Sequence, residues 1–251
     1  MLLSLTAFVA SAGGDMGDAQ SFPSFVDLRA FADACVAALP SPPAAVARQD
    51  LPLPPGPVSV GVLLLPPGRH MAVAEADEFV AVHAGAVTVA ADGTGRAFGE
   101  GESFVMRAGT ALEWEARSMA VLISMRRRGA ATGAHGVVAI DRDAALEASG
   151  APSNELLVSP VPSCRNHTDY RSGDGEFMCG TWDSTPYTRK AMRYRHYELM
   201  HLLDGEVTFV DADGVTGTFS QGDIFVVRKD AECSWDSQVY VRKVYSIWRP
   251  A

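Results

Sequence analysis

Two charged residues late in the chain occupy positions where charge is expensive. Val239, Val241, Lys243, Tyr245 and Ile247 alternate along one face of a strand-like segment, so Lys243 sits in an otherwise apolar row. An ammonium there is costly unless it is paired or used. Glu198 opens the run Glu198-Leu-Met-His-Leu-Leu-Asp-Gly205 and is read as facing the same interior. A buried carboxylate and ammonium neutralise each other's burial cost, and such a pair can close a core, recognise a polar metabolite or move protons. Glu198 and Lys243 are therefore the candidate catalytic residues. His196 lies two residues before Glu198 and shares its face on a strand. All six tyrosines and three of the four tryptophans lie beyond residue 160, where rings with polar tips can line a small-molecule pocket. Trp182, Tyr187, Tyr194, His196, Trp235 and Tyr245 are the expected ligand contacts.

The elements that must position these residues occur twice. Glu78 and Gly85 repeat the spacing of Glu198 and Gly205, while Gly101, Arg107 and Trp114 repeat Gly222, Arg228 and Trp235. Asp92-Gly93 answers Asp213-Gly214, each a dipeptide suited to a tight hairpin. An ordered set of coincidences about 120 residues apart reads as a tandem duplication of one β unit. A chain of 251 residues is long enough for two such units, each with its own core.

The spacing also carries a family resemblance. Gly180, Trp182, Ser184-Thr185-Pro186, Glu198, Gly205, Asp211, Gly214, Gly222-Asp223, Phe225, Val226, Trp235 and Arg242-Lys243-x-Tyr245 resemble the cupin branch typified by ureidoglycine aminohydrolase and the ethanolamine-utilisation cupins. That resemblance implies an all-β chain of two tandem cupin barrels (double-stranded β-helix, jelly-roll) with a short N-terminal helix. The expected units are an arm, helix and Pro-rich linker over 1–57, a degenerate first barrel over 58–128, a linker with a short helix over 129–154, and the second barrel over 155–251.

The resemblance also implies a place for a metal. Many cupins hold a divalent ion through two residues set four and six before the motif Glu, through that Glu, and through a residue of the second motif. Here those positions are Tyr194, Met192, Glu198 and Cys233, and in the first barrel Ala74, Ala72, Glu78 and Leu112. The first barrel is therefore expected to serve as scaffold. In the second, His196, Glu198 and Cys233 are the candidate ligands for Mn, Fe, Ni or Zn, with an open fourth position. His201 would join them only if its strand bulges. Two readings follow. One is a bicupin that binds a small polar metabolite in its C-terminal barrel; the other is a metal-dependent, aminohydrolase-like enzyme acting on a nitrogen-containing small molecule.

Charge and composition narrow the partners. A formal charge of −9 without any Lys/Arg-rich run disfavours nucleic acid and anionic membrane surfaces. Cys35, Cys164, Cys179 and Cys233 form no C-x-x-C pair, which suits free thiols and a cytoplasmic location. The apolar start, residues 1–12, lacks the basic residue of a secretory leader. A frayed terminus or an arm reaching another subunit is expected over the first 20 residues, and a homodimer through exposed edge strands. Ser24-Phe-Val-Asp27 reads as a helix start before an apolar pattern from Phe25 to Leu39, and successive X-Pro pairs keep residues 40–57 extended. Arg126-Arg-Arg128 reads as a solvated strand end, and Asp141 and Asp143 as solvated charges at the start of the linker helix.

Overall fold

Turn residues at short intervals divide the chain into strands that alternate between two environments. The structure, a computed structural model, describes residues 22–129 and 135–251. In the first half, one sheet runs in the order Val137–Ala139, Ser103–Met106, Asp77–Ala84, Ala120–Arg127, Val58–Leu65 and Ala47–Asp50. Facing it is a second sheet of Gly68–Val73, Ala111–Ala116, Val87–Ala91 and Thr94–Phe98. All pairings are antiparallel. The Asp92-Gly93 hairpin forms as expected, with positive φ at both residues, which matches the right-handed twist of its strands.

The second half repeats the plan. Its larger sheet is ordered Phe25–Asp27, Ile224–Val227, Tyr197–Asp204, Val241–Trp248, Phe177–Ser184, Cys164–Arg171 and Glu147–Ser149. Its smaller sheet holds Tyr187–Arg193, Glu232–Ser237, Glu206–Val210 and Thr216–Ser220. The Phe25–Asp27 strand comes from the far end of the chain and caps the edge of this barrel, pairing Val26 with Val226. Its Phe25 ring lies 6.0 Å from Phe209 and 6.1 Å from Phe219. Gly217 permits this: a Cβ there would stand 2.5 Å from the Phe25 ring. The helix follows at Leu28–Ala37, capped by Asp27, whose carboxylate accepts from the backbone N–H groups of Arg29 and Ala30. The cap is thus Asp27 rather than Ser24.

Alternation along the central strands explains their unbroken apolar runs. Val80 and Val82 face the interior of the first barrel, while Phe79 and Ala81 face a layer between the two large sheets. In the second barrel Met200 and Leu202 point inward and Leu199 points into that shared layer. Strands buried on both faces lose the polar-out half of the usual pattern. Each large side chain withdrawn from water in these three cores contributes about 1.5–3 kcal/mol.

Three expectations need correction. Residues 141–148 form no helix: the Asp141 carboxylate accepts from the Asp143 N–H, and Arg242 donates to the carbonyls of Arg142 and Ala144. This turn chemistry holds the segment extended until Glu147–Ser149 joins the sheet edge. Arg126 and Arg127 are not solvated. Arg127 pairs with Asp174 at 2.7 Å and Glu176 at 2.9 Å, clamping one barrel to the other, and Arg126 reaches Glu75 and Glu78. Residues 40–57 are not all linker, because Ala47–Asp50 is an edge strand of the first barrel. The expected arm over the first 20 residues lies outside the described residues.

Candidate functional site

Lys243 faces Trp182 on one neighbouring strand and Leu202 on the other, in the middle of the larger sheet of the second barrel. From there its side chain runs past Met200, with Nζ 3.2 Å from Sδ, to Glu198, where Nζ donates to Oε1 at 2.8 Å. The other carboxylate oxygen lies 3.1 Å from His196 Nε2. The ammonium sits 4.7 Å from the ring centre of Trp182 and 5.1 Å from that of Trp235, so two indole faces complete its shell. Trp182 and Trp235 meet edge to face at 6.0 Å, Tyr187 stacks on Trp235 at 5.4 Å, and Trp235 Nε1 donates to Ser237 Oγ. Burial alone would raise the Glu198 carboxyl, but the Lys243 ammonium and then His196 overcome it and hold it well below the ordinary carboxylate range.

The remaining ring residues take different roles. Tyr194 receives a hydrogen bond from Arg189 Nη2 at 2.8 Å, and its ring lies 5.2 Å from that of His196. Arg189 is buried; it also donates to the Cys233 carbonyl and stacks over Tyr194. Its place next to Trp235 across the ladder was not read from the sequence, where it looks like one more surface cation. Burial pushes the phenols of Tyr187 and Tyr194 well up, so both stay neutral donors at ordinary pH. Tyr245 lies on the inward row but bonds away from the pair, to Thr168 Oγ1 at 2.8 Å.

The three candidate metal ligands do not assemble. His196 and Glu198 touch, but Cys233 faces Met192 in the opposite sheet, and burial pushes its thiol up to about 11. Among the described residues no group of three or more His, Cys, Asp or Glu is placed to hold a metal ion. Both Glu198 oxygens are already engaged, one of them by an ammonium that a divalent cation would have to displace. The donor set does not fit a divalent metal. His201 alternates with Leu199 and therefore faces the layer between the barrels, not the interior of its own.

The first barrel holds the same carboxylate in another setting. Glu78 accepts from Arg48 Nη1 and lies 3.8 Å from Arg126 Nε, while Arg48 also donates to Ser124 Oγ at 3.0 Å. Arg48, Glu78 and Arg126 border a cavity of about 290 Å³ walled by Leu63, Leu65, Leu112, Leu122 and Trp114. A barrel expected to be plain scaffold thus opens onto a hollow with a polar edge. The sequence hid it because Arg48 lies in a proline-rich stretch and Arg126 in a basic triplet.

Two antiparallel sheets closed on one another, repeated in tandem around a shared apolar layer, define a bicupin. The EutQ-like cupin domain family matches at residues 53–121 and again at 171–245, and the chain belongs to that family. Among solved structures it is similar to a protein of unknown function of the DUF861 family from Pseudomonas syringae pv. tomato str. DC3000. That likeness has a TM-score of 0.71 and 29% identity, covering 76% of this chain and 82% of the other. The DUF861 protein Ylba from E. coli is similar in fold, with TM-score 0.52, 14% identity and coverage of 83% and 85%. So is the salicylate 1,2-dioxygenase of Pseudaminobacter salicylatoxidans, with TM-score 0.58, 12% identity and coverage of 98% and 89%. No curated protein matches the sequence. Among the described residues no helix is long and apolar enough to cross a membrane.

Proposed function

We propose that the second barrel binds a small polar metabolite at Glu198 and Lys243, without a metal. One observation carries this reading: a carboxylate and an ammonium paired at 2.8 Å between two indole faces. Glu198 and Lys243 are both buried, with 8% and 5% of their surface accessible, so the pair is sheltered from water. A ligand carrying a carbonyl or carboxylate beside an N–H group can accept from Lys243 and donate to Glu198, with its apolar parts against Trp182 and Trp235. Glu198 stays ionised at any ordinary pH and is suited to accepting, so recognition fits the pair better than proton delivery.

The alternative, a metal-dependent aminohydrolase-like enzyme, has less support because the donor set would have to be rebuilt around an ion. Elemental analysis of the purified protein separates the two. Stoichiometric manganese, iron, nickel or zinc would overturn the metal-free reading.

A second location for the ligand rests on the first-barrel cavity, where apolar walls and the Arg48–Glu78 pair suit an amphipathic anion. Thermal unfolding with a panel of carboxylates, ureides and sugars finds a ligand, because any compound that prefers the folded chain raises Tm. Glu198→Gln is expected to abolish the rise and Glu78→Gln to leave it intact. The reverse pattern moves the site to the first barrel.

A further inference from the structure

Between the barrels lies another cavity, of about 300 Å³, lined by parts of both repeats and of the helix. We propose that it binds a small multivalent oxyanion, held by Arg142, Arg29 and His201. The walls are built from repeated positions. Gly101 and Gly222 are counterparts in the two repeats, and each lies beneath an arginine. A Cβ on Gly101 would be 3.3 Å from Arg142 Nη1 and 3.9 Å from His201 Cε1; one on Gly222 would be 3.6 Å from Arg29 Nη1. The missing side chains leave space for three nitrogen-bearing groups to converge.

Those groups are short of acceptors. Among the described residues the Arg142 guanidinium makes no hydrogen bond or ion pair, although it sits beside another arginine. Among the described residues Arg29 spends only Nη1, on the Gly222 carbonyl and Asp223. His201 is 5% exposed, and its Nδ1 is buried without a partner. Burial and the two neighbouring arginines push its imidazole down to about 4, so it meets a ligand as a neutral ring that can donate one N–H. The acids nearby do not fill the gap. Glu100 is bound to the Gly85 N–H, and Asp33 to His83. Two guanidiniums and an imidazole around a hollow of this size match the oxygen array of phosphate or of a short dicarboxylate.

This site is independent of Glu198, so its failure leaves the second-barrel reading untouched. The test uses the full chain in thermal unfolding and calorimetric titration, with sodium phosphate and separately sodium oxalate, each against sodium chloride of equal ionic strength. Saturable binding of either anion is expected, weakened at least tenfold by Arg142→Ala and unchanged by Glu198→Gln. Arg142→Ala is a clean probe because, among the described residues, that guanidinium holds no other group. Arg69→Ala, which removes an exposed cation from the first barrel, is the control for general charge. No saturable binding of either anion, or equal binding after Arg142→Ala, overturns the proposal. Equal weakening by Arg69→Ala overturns it as well.

Discussion

The two barrels solve one electrostatic problem differently. Each places a glutamate at the same point of its central strand, Glu78 or Glu198. In the second barrel the compensating cation stands on the adjacent central strand, whereas in the first it comes from the sheet edge. The strand ladders make the correspondence explicit. Lys243 faces Trp182 as Leu122 faces Leu63, and Trp182 faces Asn166 as Leu63 faces Arg48. The lysine and tryptophan of one barrel are thus leucines in the other, and the asparagine becomes the arginine that reaches back to Glu78. A cation inside the barrel brings aromatic rings around it. A cation at the edge leaves the interior to leucines, with a hollow beside them. The charge pattern of each barrel, more than its backbone, decides where a ligand can go.

The largest effect should come from breaking the pair in the second barrel. Lys243→Met leaves a buried carboxylate facing only His196, and denaturant unfolding should report a loss of about 3–5 kcal/mol. A loss under about 1 kcal/mol would place the pair in effectively aqueous surroundings and remove the contrast between the barrels. The double variant with Glu198→Gln should recover much of the loss, since no ion then lacks a partner.

Acid should act next, through two groups of the second repeat. His201 is near 4 when folded against about 6.5 when unfolded, so the unfolded chain binds the extra proton between these values. Its contribution, on the order of 3 kcal/mol, is complete above about pH 6.5 and lost as pH falls toward 4. Arg142, Arg29 and Asp223 are the charged groups facing it, the arginines depressing its affinity for a proton and Asp223 opposing them. Glu198, held low by Lys243, contributes stability that is complete above about pH 4.3 and lost below it. Stability measured against pH should therefore decline in two stages. His201→Asn should remove the decline between pH 6.5 and 5, and persistence of that decline would assign it elsewhere.

A smaller effect is expected in the first barrel. Arg48→Met should cost roughly 1–3 kcal/mol, because Arg126 remains within 3.8 Å of Glu78 and the cavity admits water. Equal losses from Arg48→Met and Lys243→Met would make the two glutamates equivalent and end the distinction drawn here.

Much of this is legible in the amino-acid sequence alone. The repeat of Glu, Gly and Trp positions specified two β units, the alternation around Lys243 placed it inward, and His196 at two residues from Glu198 shared its face. These are local regularities of period two, which the strand backbone enforces wherever it forms. Arg48, Arg126 and Arg189 were missed because a cation's value depends on which strand lies beside its own. The linker helix failed for a related reason: Arg242, about a hundred residues away in sequence, captures the carbonyls that a helix would have used.

The sequence by itself determined a duplicated antiparallel fold with one acid and one base turned toward a common interior. Tertiary structure alone decided that these two meet each other, that Cys233 stands apart from them in the opposite sheet, and that His201 looks across to the other barrel. Side-chain period fixes a face, but which groups share that face across strands depends on pairings between distant segments, and no local pattern encodes those.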